Sequence, residues 1–499
     1  MISYGSLPRT SEWLPITAVL GLAAVARLWF LSAGVPHAVG IDEPQVVDRA
    51  LRILHTGSWN THLFDYPTLV IYLQACVQIV RFLWGALNGE WGSLDAFTIT
   101  AVYAAGRFVT AVIGVATVWL AWRLARDLAS RSVALLAAAQ LAVRSLHVRE
   151  SHYILTDVPV TALTTLALWL SVRAARLRTT AAYAWAGAAC GLAAAAKYNG
   201  GLVVVALAAV WVIGERTAAQ RGRKAAVALA AAAIAFLVAA PYTVLDMPSF
   251  LDGFAAQFSR FAAPLRGSDP GWRIYLKHLT PQASPWWVPA ALLGAGIALW
   301  RRSTRWAYAP MILFVALYFY VLSTHGPMFG RYALPLLPPL CVLQALAIVE
   351  IVTALRARVA LLARPAPARA LWAAVMLLVL GAPTLETVRW LDGLKRVDTR
   401  TMAADWLKAN VPRGTRIAVE NSGPTYLDAA GFRVVGNQLL NGQPLAWYRQ
   451  RADLLVISSG DLGPYGDYVN AGPTVFQAEP TPQRWGPPIR IIDLRVASR

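Results

Sequence analysis

The sequence predicts an all-α polytopic membrane protein that ends in a small α/β domain. Three observations carry that expectation. Of 499 residues, 57% are hydrophobic and only 14% charged, where a soluble protein of this size carries roughly a quarter charged. Apolar stretches near the ~20 residues needed to cross a bilayer recur through most of the chain. After about residue 389 the pattern changes to short amphipathic and apolar segments split by Gly/Pro-rich turns.

The formal charge of +19 does not point to nucleic acid. The basic residues form no patch interleaved with aromatics. They fall in five short clusters between apolar segments: Arg123/Arg126/Arg131, Arg173/Arg176/Arg178, Arg216/Arg221/Arg223/Lys224, Arg301/Arg302/Arg305 and Arg356/Arg358/Arg364/Arg369. This is the positive-inside pattern. With all five in the cytoplasm, the expected spans are 13–33, 103–124, 132–147, 157–174, 181–196, 200–214, 225–242, 285–300, 306–322, 331–354 and 370–388, eleven crossings. The apolar stretch 66–88 would reverse every later side assignment if it crossed. It is therefore expected to be an interfacial or re-entrant helix in the first outer loop, 34–102. The first segment lacks a convincing cleavage site and reads as an anchor. The expected domains are a transmembrane module, 1–389, and a C-terminal domain, 390–499, on the outer face.

Cys76, Cys190 and Cys341 lie in apolar segments with no CxxC spacing, so neither disulfides nor a zinc site is expected. In the tail, Thr401–Lys408 reads as an amphipathic helix, and Arg416–Glu420, Asp453–Ile457 and Ile489–Ile492 read as strands. No nucleotide-binding glycine fingerprint is present there.

The polar residues able to carry chemistry collect in the outer loops. Gly40-Ile41-Asp42-Glu43-Pro44 sets two carboxylates just past the first span, a costly depth for charge that usually marks function. Asp42 suits a general base and Glu43 a supporting acceptor or ligand. Asp42 equally suits an N-cap for a helix starting near Pro44, and both roles can hold at once. The second outer loop, Arg149 to Pro159, contributes His152 and Asp157; Asp157 too has a capping alternative. Lys197-Tyr198-Asn199 is a charged turn whose lysine suits a lipid phosphate or simple snorkelling. Arg331 stands on the outer side beside Tyr332, against the positive-inside trend. Its planar fork suits a phosphate, or headgroup anchoring.

Together these segments resemble the GT-C glycosyltransferases, and within them the protein O-mannosyltransferase and lipid A aminoarabinose transferase branch (glycosyltransferase family 39-like). The resemblance rests on the acidic pair, the Tyr66-Pro67-Thr68-Leu69 helix start, the Arg/Ser/His…Thr156-Asp157-Val158-Pro159 loop and the late Arg331-Tyr332-Ala333-Leu334-Pro335 segment. It covers roughly residues 10–350. Where the family often has His-Pro-Pro-Leu, this chain has Asp65-Tyr66-Pro67-Thr68-Leu69.

The resemblance implies an inverting transfer of a sugar from a polyprenyl-phosphate donor to an acceptor hydroxyl on a glycan, lipid or protein. The enzyme would sit in the bacterial inner membrane with its site facing outward. Phosphate leaves readily, so one base suffices, unlike the paired carboxylates of glycoside hydrolases. By analogy Asp42 is that base, with Glu43 beside it. Arg331 with Tyr332, and Lys197 with Tyr198, hold the donor phosphate. His152, Asp157, Asp65 and Tyr66 support the site. No cofactor is fixed by the sequence, and a divalent metal stays open. The alternative from another class is a transporter or flippase of lipid-linked sugars, which predicts internal repeats and charges at mid-membrane. No repeat is apparent, and the polar residues sit at helix ends.

The charge count makes a topological prediction. A cysteine introduced near Asn437 should react with an impermeant reagent added from outside, and one near Arg221 should be protected. The reverse pattern would overturn the orientation.

Overall fold

The structure, a computed structural model, describes residues 10–214, 217–262, 270–281, 284–326, 328–436 and 439–496. Arg216 and Asn437 lie outside the described residues. The chain divides into two compact units. The first comprises Met1–Trp29, Val46–Trp84 and Ala105–Val388, and the second Phe30–Gln45, Gly85–Ala104 and Arg389–Arg499.

The first half of the helical chain contains α1 (Thr10–Leu28), α2 (Glu43–Thr56), α3 (Leu69–Leu87), α4 (Ile99–Leu128), α5 (Arg131–Ala142), α6 (Ser145–Glu150), α7 (Asp157–Leu177), α8 (Thr180–Ala196), α9 (Val204–Gly214) and α10 (Ala218–Ala239). There follow α11 (Tyr242–Leu245), α12 (Met247–Ala262), α13 (Gly271–Leu279), α14 (Trp287–Trp300), α15 (Arg305–Thr324), α16 (Leu337–Arg358) and α17 (Pro365–Gly393). Three-ten turns at Tyr198–Val203 and Gly330–Leu336 lead into α9 and α16. Each apolar segment expected to span is helical over most of its length, although 29–33 is a turn beyond α1 and 132–147 is interrupted. Among the described residues seven helices are long and apolar enough to cross a membrane. They include α3, a 19-residue helix that qualifies by length and composition although the charge count assigns it to the interface.

The expected span 132–147 is broken. Helix α5 stops at Ala142, and α6 starts at Ser145. The cause is Arg27, a fully buried arginine in α1. Its guanidinium donates to the Leu141 and Ala142 carbonyls at 3.0 Å each, to Ala23 O at 3.1 Å, and meets His147 Nδ1 at 2.9 Å. The last carbonyls of a helix lack intrahelical donors, and with no water in a bilayer core they need another partner. Within the break, Arg144, the residue before α6, donates to Leu279 O, the final carbonyl of α13. Its guanidinium lies 4.3 Å from the centre of the Trp287 ring.

Small residues let α8 and α10 approach closely. Gly187 and Gly191 of α8 face α10, where an added Cβ would overlap the Ala228 and Ala232 carbonyl oxygens. Small residues four apart let two backbones approach in this way. The basic clusters cap the ends remote from the polar loops: Arg301 grips Glu350 with two bonds of 2.7 and 2.6 Å, and Arg176 meets Asp127 at 3.4 Å. Along α7, Arg173 stands roughly 24 Å from Asp157 at 1.5 Å per residue.

The second unit is a five-stranded sheet with helices. After the two-residue strand β1 (Val397–Asp398) come α18 (Thr399–Asn410), β2 (Arg416–Val419), β3 (Arg433–Gly436), α19 (Leu445–Arg451), β4 (Leu454–Ile457), α20 (Gly466–Val469), β5 (Thr474–Ala478), β6 (Arg484–Trp485) and β7 (Ile489–Asp493). The sheet order is β3-β2-β4-β7-β5. Strands β2, β3 and β4 are parallel, and β7 runs antiparallel to β4 and β5. Ile417, Val419, Leu454 and Val456 pack under α18, while Ala418, Leu455 and Ile457 pack with Tyr448, Tyr465 and Tyr468 on the other face. Burial on both faces explains the continuous apolar runs read as strands.

The same unit includes the segment that bears the acidic pair. Thr425 donates its backbone N–H to His37 O at 3.0 Å and its hydroxyl to Pro36 O at 2.7 Å. His37 Nδ1 lies 2.8 Å from Thr425 O. Arg400, locked to Asp398 at 2.9 Å, donates to Val39 O at 2.9 Å. Residues 36–39 are thus fastened to the α/β fold just before Asp42.

Candidate functional site

Asp157 is the first residue of α7 and is buried. Burial of a carboxylate is tolerated only with partners. Lys197, the C-cap of α8, donates Nζ to Asp157 Oδ1 at 2.6 Å. Arg331, in the three-ten turn before α16, brings Nε to 3.5 Å from Asp157 Oδ2. Three connections far apart in sequence therefore converge at one end of the bundle. The side chains of Asp157 and Lys197 are 4% and 8% exposed, that of Arg331 19%. Arg331 is the member a ligand can reach.

Aromatic rings frame the cations. Lys197 Nζ lies 4.0 Å from the Tyr332 ring centre. Arg331 Cζ lies 4.4 Å from the Phe329 ring and 5.6 Å from that of Tyr332. The two rings meet edge to face at 5.4 Å, and Phe261 of α12 approaches Tyr332 at 6.2 Å. Nearby, Glu150 is buried and paired with Arg149 at 2.8 Å. Burial pushes the Glu150 carboxyl above its usual range, and the charge of Asp157 adds to that, while Arg149 and Arg331 oppose it. Lys197 and Arg331 on Asp157, with Arg149 on Glu150, place three cations against two carboxylates and leave Arg331 partly open, an arrangement that suits an anion.

The other expected residues take different places. Tyr198 donates its hydroxyl to Phe64 O at 2.9 Å and meets Phe254 edge-on at 5.1 Å. Asp65 lies within electrostatic reach of Tyr198 and is paired with Arg49 of α2 at 3.0 Å. Asp65 Oδ1 also accepts from the Tyr66 backbone at 3.1 Å. His152 faces away from the triad: Nδ1 lies 2.9 Å from Val148 O and Nε2 2.9 Å from Trp29 O, so the ring ties α6 to the end of α1. Asp42 and Glu43 belong to the second unit. Helix α2 begins at Glu43, one residue earlier than Pro44 suggested. Glu43 is fully buried and its Oε2 accepts from Gly40 N at 2.7 Å, which fixes the turn holding the half-buried Asp42.

Sequence reasoning overlooked Arg27, Glu150, Phe329 and a latch at the loop 58–65, where Asp246 accepts from Asn60 at 2.8 Å and His62 at 3.0 Å. Arg27 carried a usable signal, a lone cation inside an apolar segment. Among the described residues no group of three His, Cys, Asp or Glu has metal-holding geometry.

This architecture is that of the GT-C glycosyltransferases, a polytopic helical membrane fold. Residues 97–244 match the family described as dolichyl-phosphate-mannose-protein mannosyltransferase. The chain is similar in structure to the oligosaccharyltransferase AglB from Archaeoglobus fulgidus, solved with an inhibitory peptide and a dolichol-phosphate, at TM-score 0.62 and 13% identity over 90% of this chain and 70% of that one. It is similar over nearly its whole length to ArnT from Cupriavidus metallidurans bound to undecaprenyl phosphate, at TM-score 0.59 and 15% identity over 97% and 98% of the two chains. No curated protein sequence matches the chain significantly.

His152 makes the bundle sensitive to acid. Burial outweighs its two carbonyl contacts and lowers its value from 6.5 to about 4. Between those values the unfolded chain binds the proton and the folded chain does not, so stability rises with pH through this window and is lost as pH falls below about 6.5. Thermal unfolding of purified protein at pH 7 and pH 4.5 should show a larger acid loss in the parent than in His152→Gln. Equal losses would mean that His152 is not the group titrating.

Proposed function

We propose that the protein transfers a glycosyl group from a polyprenyl-phosphate donor to an acceptor hydroxyl. The observation that carries this reading is the Asp157–Lys197–Arg331 cluster, a net positive, ring-framed site at one end of an apolar bundle. The fold supports it, since similar structures were solved with dolichol-phosphate and with undecaprenyl phosphate.

In this reading Arg331 holds the donor phosphate with its forked N–H groups. It offsets the charge that develops as the glycosidic C–O bond breaks. Asp157 orients Arg331, and Lys197 holds Asp157 from the other oxygen while adding to the positive field. Tyr332 and Phe329 fix both cations from their ring faces. Asp42 serves as the base that takes the acceptor hydroxyl's proton as its oxygen attacks the anomeric carbon. Glu43 maintains the Gly40–Asp42 turn. The site faces the extracytoplasmic side of a bacterial inner membrane, and a glycan, lipid or protein supplies the hydroxyl. Movement of lipid-linked sugars across the bilayer is less well supported, because the charged residues of the site, Asp157, Lys197 and Arg331, sit at helix ends.

The test is turnover of a radiolabelled polyprenyl-phosphate sugar by purified protein, with acceptor in excess and donor titrated. Arg331→Lys should weaken donor dependence despite its charge, and Arg331→Ala should weaken it further. Asp42→Asn should lower the maximal rate by ~10²–10⁴-fold, and Glu43→Gln by less. If both Arg331 variants match the parent, the phosphate is held elsewhere. If folded Asp42→Asn turns over normally, the base is another group.

A further inference from the structure

The basic ends of α4 and α7 contain an arrangement that glycosyl transfer does not use. Trp169 of α7 donates Nε1 to Asp127 Oδ2 of α4 at 2.8 Å. Two arginines then approach the same indole, Arg123 Cζ at 5.1 Å and Arg173 Cζ at 5.4 Å from the ring centre. Arg123 also lies 5.7 Å from Trp122 and 5.9 Å from Trp119. Trp119 in turn meets Trp169 edge to face at 5.8 Å.

A guanidinium set among three indoles is fixed through its faces. Its N–H donors lie in the plane and need oxygen acceptors. The obvious acceptor is Asp127, one turn along α4, and it is already engaged: Trp169 takes Oδ2, and Arg176 approaches Oδ1 at 3.4 Å. Among the described residues neither Arg123 nor Arg173 has a hydrogen-bond or carboxylate partner, and Arg123 Nε is shielded from solvent without one. Arg173 and Arg126 repel Arg123, and the nearby charge of Asp127, though it attracts Arg123 more strongly, comes with no hydrogen bond to it. Indoles aligned, donors unfilled and like charges adjacent together call for an anion with several oxygens.

A phosphate group has that chemistry, either free or on a lipid. The surroundings favour the lipid. Trp13 packs on Trp122 at 6.3 Å, and Trp13 and Leu14 are exposed, 45% and 79%. That apolar surface would meet acyl chains and offers nothing to a soluble ion. Tryptophan and arginine at a helix end are also the composition of a headgroup boundary. We propose that Arg123 and Arg173, arranged around Trp169, bind the phosphodiester of an anionic phospholipid at the basic end of the bundle.

The experiment is native mass spectrometry of the purified full-length protein in detergent, titrated with phosphatidylglycerol or with phosphatidylcholine. The parent should retain one phosphatidylglycerol at concentrations where phosphatidylcholine is lost, and excess inorganic phosphate should not displace it. The double variant Arg123→Gln/Arg173→Gln should bind it on the order of tenfold more weakly, as expected for lost charge-assisted hydrogen bonds. The equally charge-depleted Arg356→Gln/Arg358→Gln should bind like the parent. Arg123→Lys/Arg173→Lys keeps the charge but not the fork, and should also bind more weakly; it carries the test if the Gln variant does not fold. Equal retention of both lipids, equal loss in the two Gln variants, or parent-like binding by the Lys variant would overturn the proposal. Displacement by inorganic phosphate would make this a free-phosphate site instead.

Discussion

A carboxylate withdrawn from water must be matched, and the Asp157–Lys197 contact meets that requirement at the point where three connections meet. The α7 start, the α8 end and the turn before α16 have no sequence proximity. Their common constraint is that a buried Asp157 without Lys197 and Arg331 would be a stranded charge, a defect of roughly 3–5 kcal/mol. The contact therefore fixes helix ends as well as chemistry. Arg331 completes it from the more exposed side, so the residue open to a ligand is oriented by the pair that is not. The aromatic rings of Tyr332 and Phe329 do the same from their faces.

The same logic, applied to backbone groups, explains the buried arginines. A helix that ends inside an apolar bundle leaves carbonyls without donors, and Arg27 and Arg144 each deliver donors to such an end. The break between α5 and α6 is thereby satisfied, and a second interruption after Glu150 leaves residues 151–156 as the loop that leads into α7. A continuous helix would have carried His152 and Asp157 around different faces.

Much of this is legible in the residues because lipid imposes a simple rule. Apolar length and the position of arginine clusters give the helices in order, and polar side chains confined to short loops mark one end as chemical. Asp157, Lys197 and Arg331 can be picked out for that reason. Arg27 is harder: its partners are backbone carbonyls of α5, which any residue supplies, so nothing in the sequence announces the pairing. The attachment of residues 36–39 to the α/β unit is hidden in the same way, since its acceptors are the Pro36, His37, Val39 and Thr425 carbonyls. Strands β3 and β5 escape notice because they lie at the sheet edges, with largely exposed side chains and no clear alternation. The strands buried on both faces, β2, β4 and β7, are the ones that read clearly.

The fastening of His37 to Thr425 spans 388 residues of chain. During synthesis the turn that carries Asp42 is among the first segments to leave the ribosome. Its hydrogen-bonding partners Arg400 and Thr425 follow 361 and 389 residues after the carbonyls they meet. Until the final strands and α18 have formed, the Pro36, His37 and Val39 carbonyls have no donors from that unit. The acidic pair thus acquires its setting only after Arg400 and Thr425 have been added and folded, and until then the right residues stand in an unfinished loop.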